Sequence, residues 1–348
     1  MSWILRPRAG ALIVLGTSAI GGAAYRYAKS SSLTDASLNP HTFTPYTLAD
    51  KQPVSSTSAI FTLRNPHGGV DSGNAQDSWA RGVWSVQIKQ PQLQIARAYT
   101  PLPPIANGQE GSKEESANVR LLIRQEKGGE VSTYLHRLPE QSTIELRGPN
   151  TEFQLPHDIR EILFLAGGTG IAPAMQVAHA LAQRTDSRMH ILWANRRREE
   201  CMGGISDAQG TNTMGQIRPS WWKSLLGLQP DAAAQEALAI DQHSQVKGAL
   251  VQELEALKER SISHTRRLSV LYYVDEENTL IKPGDVTSRL KPDASKEKGS
   301  RLILVSGPDG FIEYWAGKKL WIDGIETQGP LGGVLGQLDL KDWSVFKL

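Results

Sequence analysis

The sequence predicts an all-β barrel followed by an α/β domain with a parallel sheet, preceded by an N-terminal membrane helix. Short segments of alternating polar and apolar residues precede residue 150, as in antiparallel strands. Strands then alternate with helical segments, as in a parallel sheet covered by helices. We expect residues 1–34 to be a targeting and transmembrane segment, 35–45 a linker, 46–157 the barrel, and 158–348 the α/β domain with an insertion over 201–244.

Composition excludes several classes of function. The 348 residues carry a formal net charge of +2, which gives no support for a nucleic-acid partner. The single cysteine, Cys201, cannot form a disulfide framework or a thiolate metal site. The eight histidines show no metal-binding spacing, so we expect no metal site.

The N-terminus has the character of a mitochondrial targeting segment. Its first 34 residues contain four basic residues and no acidic one. Residues 9–25 are uncharged and mostly apolar, and about 17 such residues reach the lower limit for a membrane helix. We expect membrane contact through residues 9–25, in an orientation that the even flanking charges leave open. A secretory signal peptide or a removed presequence is the alternative.

The first folded unit contains a strand that could bind an anion. Strands are predicted over residues 55–64, 81–89, 94–100, 119–125 and 143–147, with polar loops over 66–78 and 101–116. Arg97 and Tyr99 lie on one face of their strand. Arginine can hold a phosphate bidentately, tyrosine can stack on a flat ring, and Thr100 adds a hydroxyl. An ordinary strand with an exposed arginine and a packed tyrosine is the alternative.

A glycine pair in the same unit precedes a short predicted helix. Gly128 and Gly129 lead into residues 130–135, with Ser132 near the helix start. Free backbone N–H groups at such a place suit a pyrophosphate. A plain glycine hairpin followed by a capped helix is the alternative.

The second unit contains a glycine-rich turn between a strand and a helix. Strands are predicted over residues 162–165, 188–195, 268–274 and 301–306, and helices over 174–183 and 246–260. Gly167, Gly168, Thr169 and Gly170 join the first strand to its helix, and Pro173 suits the first helical turn. Glycine allows a phosphate to approach the backbone closely. A tight turn without a ligand is the alternative.

Two further strand ends carry polar chemistry, where α/β domains bind nucleotides. Ser306, Gly307 and Pro308 follow the fourth strand. After the second strand, Arg196 and its neighbouring arginines would favour a ribose 2′-phosphate, whereas Glu200 would favour a free 2′-hydroxyl. The sequence does not choose between them, and a solvated charge run is equally compatible.

The order and spacing of five segments, RAYTP, VRLLIR, GGEVSTYL, IELRGP and FLAGGTGIAP, resemble the ferredoxin-reductase superfamily. The nearest branch that the chain resembles is the NADH–cytochrome b5 reductases. This resemblance implies an FAD-binding barrel, an NAD(P)H-binding α/β domain, FAD as cofactor and NADH or NADPH as electron donor.

The resemblance also implies roles for individual residues. Arg97 would bind the flavin phosphates, Tyr99 would pack on the isoalloxazine, and Thr100 would hydrogen-bond near N5. The implied catalytic residues are Tyr99, Thr100 and Ser306. The implied cofactor-binding residues are Arg97, Ala98, Tyr99, Thr100, Leu122, Arg124, Gly129, Glu130, Val131, Ser132, Gly167, Gly168, Thr169, Gly170, Ala172, Pro173, Arg196, Gly307, Pro308 and Phe346.

The chain departs from that family at two places. Ser306 stands where the family usually has the cysteine near the nicotinamide, so the contact in the hydride path is expected to be looser. Family members often end in an aromatic residue near the flavin, whereas two residues follow Phe346. The insertion contains Trp221 and Trp222, which could touch a membrane or a partner or pack back onto the domain.

Together with the predicted anchor, these features are similar to the fungal mitochondrial flavoproteins known as cytochrome c mitochondrial import factors. That similarity implies a membrane-anchored NAD(P)H oxidoreductase that passes electrons to haem for attachment to apocytochrome c. The implied partners are haem, apocytochrome c and its haem lyase, at the inner membrane facing the intermembrane space. A cytochrome b5-type reductase and a non-catalytic flavin-binding assembly factor are the alternatives.

Overall fold

Six strands of the first half of the chain form one antiparallel sheet. They are β1 (Thr44–Pro53), β2 (Ser58–Arg64), β3 (Gly82–Gln90), β4 (Ile95–Tyr99), β5 (Val119–Arg124) and β6 (Thr143–Gln154). The order across the sheet is β4-β3-β6-β1-β2-β5. The sheet curves until Pro101, just after β4, forms a bridge with Leu121 of β5. The predicted antiparallel barrel is therefore a half-barrel whose edge strands meet at one end.

The alternation in β3 places its two faces in different cores. Trp84, Val86 and Ile88 point into the barrel interior. Val83 points the other way and joins a core shared with the second half of the chain. Burial of both faces accounts for the nearly continuous burial along this strand, because β3 lies between the barrel interior and the other half.

Two helices accompany the barrel, α1 (Gly73–Arg81) and α2 (Glu130–Arg137). The second is the expected helix after the glycine pair. The first occupies part of the region expected to be a polar loop, where the Trp79 ring packs edge-to-face on Trp84 at 4.8 Å between centroids. Within the expected linker over 35–45, Leu38 is fully buried in the barrel core and Thr44 begins β1.

The second half of the chain forms a five-stranded parallel sheet. Its strands are β7 (Glu161–Gly167), β8 (Arg188–Asn195), β9 (Leu268–Val274), β10 (Arg301–Ser306) and β13 (Ser344–Lys347), with a separate hairpin of β11 (Leu320–Ile322) and β12 (Ile325–Thr327). The order is β13-β10-β7-β8-β9. Because the chain runs outward from β7 in both directions, the switch point lies between β7 and β10, where ligands bind in such sheets.

Helices cover this sheet as expected from the alternating pattern. They are α3 (Ile171–Leu181), α4 (Ala249–Arg260), α5 (Pro283–Thr287) and α6 (Asp309–Ala316). In α4 the predicted apolar face, Leu250, Leu254 and Leu257, is buried. Short 3-10 turns follow β7 (Gly168–Gly170), β8 (Arg198–Cys201) and β9 (Asp275–Glu277).

The computed structural model describes residues 38–65, 73–105, 118–182, 184, 186–207, 246–260, 267–290, 300–340 and 342–348, with only the backbone for 73–76. Residues 38–348 form one compact unit. The expected membrane helix and positions 208–244 of the expected insertion lie outside the described residues. Within the described ranges, no helix is long and apolar enough to cross a membrane.

Candidate functional site

A cavity of about 370 Å³ lies between the half-barrel and the carboxyl end of the parallel sheet. Both halves contribute walls to it, as expected from the predicted site residues. Its position matches the switch point between β7 and β10, where a parallel sheet presents free backbone groups to a ligand.

The barrel-side wall is formed by Arg97–Thr100 and by Leu122. Among the described residues, the only hydrogen bond of the Arg97 guanidinium is to its neighbour's carbonyl, Ala96 O, at 3.0 Å. Burial raises the pKa of Tyr99 to about 12, although the charge of Arg97 acts in the opposite direction. Tyr99 is therefore a neutral phenol beside an exposed guanidinium, which leaves that positive charge available to an anion.

The barrel-side cradle, residues 126–132, continues this wall. Gly128 has a φ of +81°, which favours glycine, and Gly129 begins α2 without a side-chain cap. The Ser132 hydroxyl accepts a hydrogen bond from the Glu126 N–H at 3.1 Å and donates one to Gly129 O at 3.3 Å. Because the Ser132 hydroxyl bonds to the loop before the helix, it does not cap the helix start. The N–H groups of the first helical turn remain available to a ligand.

Four of the loop residues predicted from sequence line the cavity, namely Gly129, Glu130, Val131 and Ser132. Glu126 lines it as well, and sequence reasoning missed this residue. Its position two residues before the glycine pair was the available signal, but a carboxylate is not an expected neighbour of a phosphate.

The sheet-side cradle, Gly168–Gly170, is the glycine turn after β7. Gly168 has a φ of +53°, and its carbonyl accepts a hydrogen bond from Trp193 Nε1 at 2.9 Å. A Cβ placed on Gly170 would lie 2.3 Å from Ser306 O. Glycine is therefore required because the backbone of the turn after β7 packs directly on the end of β10, in addition to any role in binding.

The remaining sheet-side wall is formed by the residues at the switch point. Thr169, Gly170, Ala172 and Pro173 line the cavity at the start of α3. Ser306 and Gly307 line it at the end of β10, and Ser306 is 7% exposed. The structure thus brings the two predicted strand ends together.

A buried ion pair joins the two halves beside this turn. Arg124 Nη2 of β5 lies 2.6 Å from Glu200 Oε1, and their side chains are only 10% and 7% exposed. The same guanidinium lies over Gly168 and lines the cavity. Its Nε is buried and has no hydrogen-bond partner among the described residues. The charge of Arg124 is therefore compensated by Glu200 before any ligand binds.

The structure places five predicted residues outside the cavity lining. Gly167 precedes the 3-10 turn that Gly168 begins, and Pro308 is the N-cap residue of α6. Arg196 is exposed after β8. The ring of Phe346 packs on Phe153, with 4.6 Å between centroids.

The charges around Arg196 are largely paired. Arg198 forms a two-pronged ion pair with Glu277, which raises the pKa of Arg198 and lowers that of Glu277. The Glu276 carboxylate accepts the Arg198 backbone N–H at 2.5 Å. Glu200 Oε2 accepts the Arg196 backbone N–H at 3.2 Å. Carboxylates therefore engage the backbone of Arg196 and the side chains of Arg197 and Arg198.

These features define the class of protein. A half-barrel with one anion cradle and a parallel sheet with a second, both facing one cavity, are typical of two-domain oxidoreductases that bind a flavin and a pyridine nucleotide. Residues 45–155 match the oxidoreductase FAD-binding domain family, and residues 164–204 match the oxidoreductase NAD-binding domain family. The chain is an oxidoreductase with ferredoxin reductase-like FAD- and NAD-binding domains, homologous to the NADH–cytochrome b5 reductases.

Similarity to individual proteins extends over most of the chain. It is 24% identical to the cytochrome c mitochondrial import factor of Saccharomyces cerevisiae, over 93% of this chain and 87% of that protein. It is 23% identical to NADH–cytochrome b5 reductase 2 of Kluyveromyces lactis, over 73% of this chain and 67% of that protein. An uncharacterised FAD-binding protein of Schizosaccharomyces pombe is 32% identical over 48% of this chain, which corresponds to 58% of that relative's length.

Comparison with solved structures supports the fold. The CS-b5R domains of human Ncb5or, in the NAD+ form, superpose with a TM-score of 0.51 at 15% identity. The match covers 87% of this chain and 69% of that one. At this level of identity the likeness concerns architecture alone.

Proposed function

We propose that this chain is a membrane-anchored, FAD-dependent NADH oxidoreductase of mitochondria that passes electrons to haem for attachment to apocytochrome c. The observation that carries the redox part is the single cavity onto which both anion cradles open. Two nucleotides bound in these cradles would meet in one cavity, as hydride transfer requires.

The residues of the barrel-side wall fit FAD. The Arg97 guanidinium, which has no carboxylate partner among the described residues, suits its pyrophosphate, as do the uncapped N–H groups after Gly129. Tyr99 and Thr100 offer a ring and a hydroxyl to the isoalloxazine. When bound, FAD would supply hydride acceptance and the release of single electrons. The protein's own contribution is to hold and orient it.

The sheet-side wall would orient the nicotinamide. The N–H groups of Gly168–Gly170 suit the dinucleotide pyrophosphate, and Thr169 and Ser306 border the place where the two rings would meet. Ser306 is small and buried, so it would leave room for the nicotinamide at this wall.

The carboxylates around the arginines after β8 support NADH over NADPH as the donor. A ribose 2′-phosphate would enter a region in which Glu276, Glu277 and Glu200 already engage the arginine side chains and backbone. Adding two negative charges there is unfavourable, whereas a free 2′-hydroxyl can donate to a carboxylate. The NADH–cytochrome b5 reductases among its relatives are consistent with this choice.

The proposed acceptor, partners and location come from similarity to the yeast import factor. The name of that factor connects it with cytochrome c and mitochondria, and the apolar residues 9–25 match the length of a membrane anchor. We propose that the flavin-bearing unit faces the intermembrane space, where apocytochrome c and its haem lyase would act as partners.

An anaerobic titration tests the redox part. Purified full-length protein should contain bound flavin whose visible absorbance is bleached by NADH, with a kcat/KM at least about tenfold above that for NADPH. Flavin that neither nucleotide bleaches would overturn the oxidoreductase proposal and favour the non-catalytic assembly factor.

The acceptor is tested in a second assay with the NADH-reduced protein. Reduction of haem bound to apocytochrome c, followed by faster covalent attachment in the presence of haem lyase, supports the proposal. The similarity to NADH–cytochrome b5 reductases favours the second candidate, in which a cytochrome b5-type protein accepts the electrons. Efficient reduction of that protein with no effect on haem attachment would select the second candidate.

A further inference from the structure

Gln176, on α3, is a fully buried polar residue that connects the two halves of the molecule. Its Oε1 accepts a hydrogen bond from the Trp84 backbone N–H at 2.9 Å, and its Nε2 donates one to Pro101 O at 2.9 Å. Both partners belong to the half-barrel, whereas α3 covers the parallel sheet. A buried amide satisfied on both ends holds its partners in one geometry, because any shift leaves a buried polar group unpaired.

The backbone N–H of Trp84 can bond to Gln176 because β3 is irregular at this point. The register between β3 and β6 shifts between Val83 and Trp84, as in a β-bulge. A bulge interrupts the ladder and redirects a backbone group. The Trp84 N–H is directed to Gln176 instead of to β6, so this hydrogen bond joins strand β3 of the barrel to helix α3.

The second partner, Pro101, adjoins the cavity. It directly follows Tyr99 and Thr100, which line the barrel-side wall. Pro101 is also fixed within the barrel, because it bridges Leu121 and the next N–H, of Leu102, donates to Arg120 O at 2.7 Å. The hydrogen bond from Gln176 therefore ties α3 to the segment that presents Tyr99 and Thr100.

Gln176 also lies on the same helix as residues of the sheet-side wall of the cavity. Ala172 and Pro173, one turn earlier on α3, line the cavity. Residues three and four positions apart lie on the same helix face. One face of α3 thus lines the sheet-side wall at its start and bonds to the barrel one turn later.

We propose that Gln176 is a positioning residue that sets the distance between the flavin-side and nicotinamide-side walls of the cavity. This role rests on the proposed function, because it assumes that a hydride crosses between those walls. Hydride transfer depends steeply on the approach of the two reacting atoms, and a displacement of about 1 Å can lower a rate about 100-fold. Gln176 acts through Pro101 and α3.

The test compares hydride transfer with binding. Gln176→Met keeps the side-chain length and removes both hydrogen bonds. We expect the anaerobic rate of flavin reduction by NADH to fall at least about tenfold, while FAD stays bound and the KM for NADH changes by less than about threefold. Hydrogen exchange at the Trp84 amide, measured with and without FAD, should become faster because the amide loses its acceptor.

Two further variants separate positioning from general stability. Gln90 is a buried glutamine whose hydrogen bonds, to Gln92 and Leu93, stay within the barrel, so Gln90→Met should leave the reduction rate within about twofold. A protonated glutamic acid can make both bonds of Gln176. Gln176→Glu should therefore regain reduction rate as the pH falls, which also decides the matter if Gln176→Met does not fold.

Each result has a distinct meaning. Wild-type reduction by NADH together with an unchanged rate in Gln176→Met, or an equal loss in Gln90→Met, would overturn the positioning role alone. A Gln176→Glu rate that does not rise on acidification would overturn it as well. Wild-type flavin that NADH does not reduce would overturn the proposed function and this role with it.

Discussion

The two anion cradles of this protein are built in different ways. The barrel-side cradle lies in an exposed loop, and the guanidinium beside it, Arg97, has no carboxylate partner within the described residues. The sheet-side cradle is fixed by backbone packing and by Trp193, and the guanidinium above it, Arg124, is already paired with Glu200.

This difference suits a resident cofactor and an exchanging substrate. An unpaired guanidinium gains its counter-charge from the ligand, so it adds directly to affinity. A guanidinium already compensated by a carboxylate adds less, because the ligand must share it. Under the proposed function, FAD would remain bound between turnovers and the nicotinamide dinucleotide would leave after each one, which the difference between the two cradles would suit.

We expect Glu200→Gln to have the largest effect on stability, because it removes the counter-charge of Arg124. The variant leaves the Arg124 guanidinium buried without a counter-charge, so we expect the free energy of unfolding to fall by about 3–5 kcal/mol. An anionic dinucleotide should restore part of this loss, because it would supply the missing charge. Denaturant unfolding of the FAD-loaded protein, with and without NADH, measures both effects.

Glu199→Gln is the matched control for that variant. Its partner Arg197 is 58% exposed, and exposed pairs contribute less than about 1 kcal/mol. If the two substitutions cost the same, or if NADH protects both equally, Glu200 does not compensate Arg124 in the way described.

The glycine turns and the Arg-x-Tyr strand can be identified from the local sequence. The contacts that hold them in place join residues far apart in the chain and cannot. Glycines before a helix and an Arg-x-Tyr strand are readable within a few residues, and the period of α4 correctly indicated its buried face. Arg124 and Glu200 are 76 positions apart, and Gln176 lies 92 positions from Trp84. Such pairs follow from how the halves pack, which no local pattern encodes.

Three local errors have equally physical causes. The helix α1 was missed because its stabilising contact, Trp79 on Trp84, is tertiary. Part of the expected linker over 35–45 belongs to the barrel, because Leu38 packs in the barrel core and Thr44 begins β1. Glu126 lines the cavity, but no motif in the sequence singles out this residue before the glycine pair.

Gly170→Ala tests the backbone-built cradle. A Cβ there would lie 2.3 Å from Ser306 O, so we expect a loss of about 1–3 kcal/mol in the free energy of unfolding and weakened NAD+ binding, with FAD retained. Gly310→Ala, in α6, is the control, because no atom lies within 4 Å of its added Cβ and alanine favours a helix. Equal stability of the two variants would contradict the packing argument.

Arg97→Ala tests the side-chain-built cradle. Loss of a charged hydrogen-bonding group to phosphate is worth about 1.5–3 kcal/mol, so the Kd for FAD should rise about 10- to 100-fold. Arg137→Ala removes the same charge from an exposed position at the end of α2 and should leave the Kd nearly unchanged. Full FAD retention in Arg97→Ala, measured by flavin fluorescence after gel filtration, would refute the assignment.

Acidification should produce the smallest effect, through His179 on α3. Burial lowers the pKa of His179 below its ordinary value of 6.5, and the charge of Arg260 lowers it further. Below that ordinary value His179 is protonated in the unfolded chain but still neutral in the folded protein. The free energy of unfolding therefore falls as the pH drops below 6.5. His179→Gln should flatten this pH dependence, whereas exposed His157→Gln should not.

The same acidification should affect ligand binding at the two cradles differently. The His179 and Trp79 rings meet edge-to-face, with 5.7 Å between centroids, and the helix of His179 directly follows the sheet-side cradle. Protonation should therefore weaken NADH binding before FAD is lost. Burial also lowers the pKa of His136 in α2, but that contribution is common to wild type and the His179 variant. Loss of FAD ahead of NADH affinity on acidification would show that the barrel-side cradle is the more pH-sensitive one, contrary to the structure of α3.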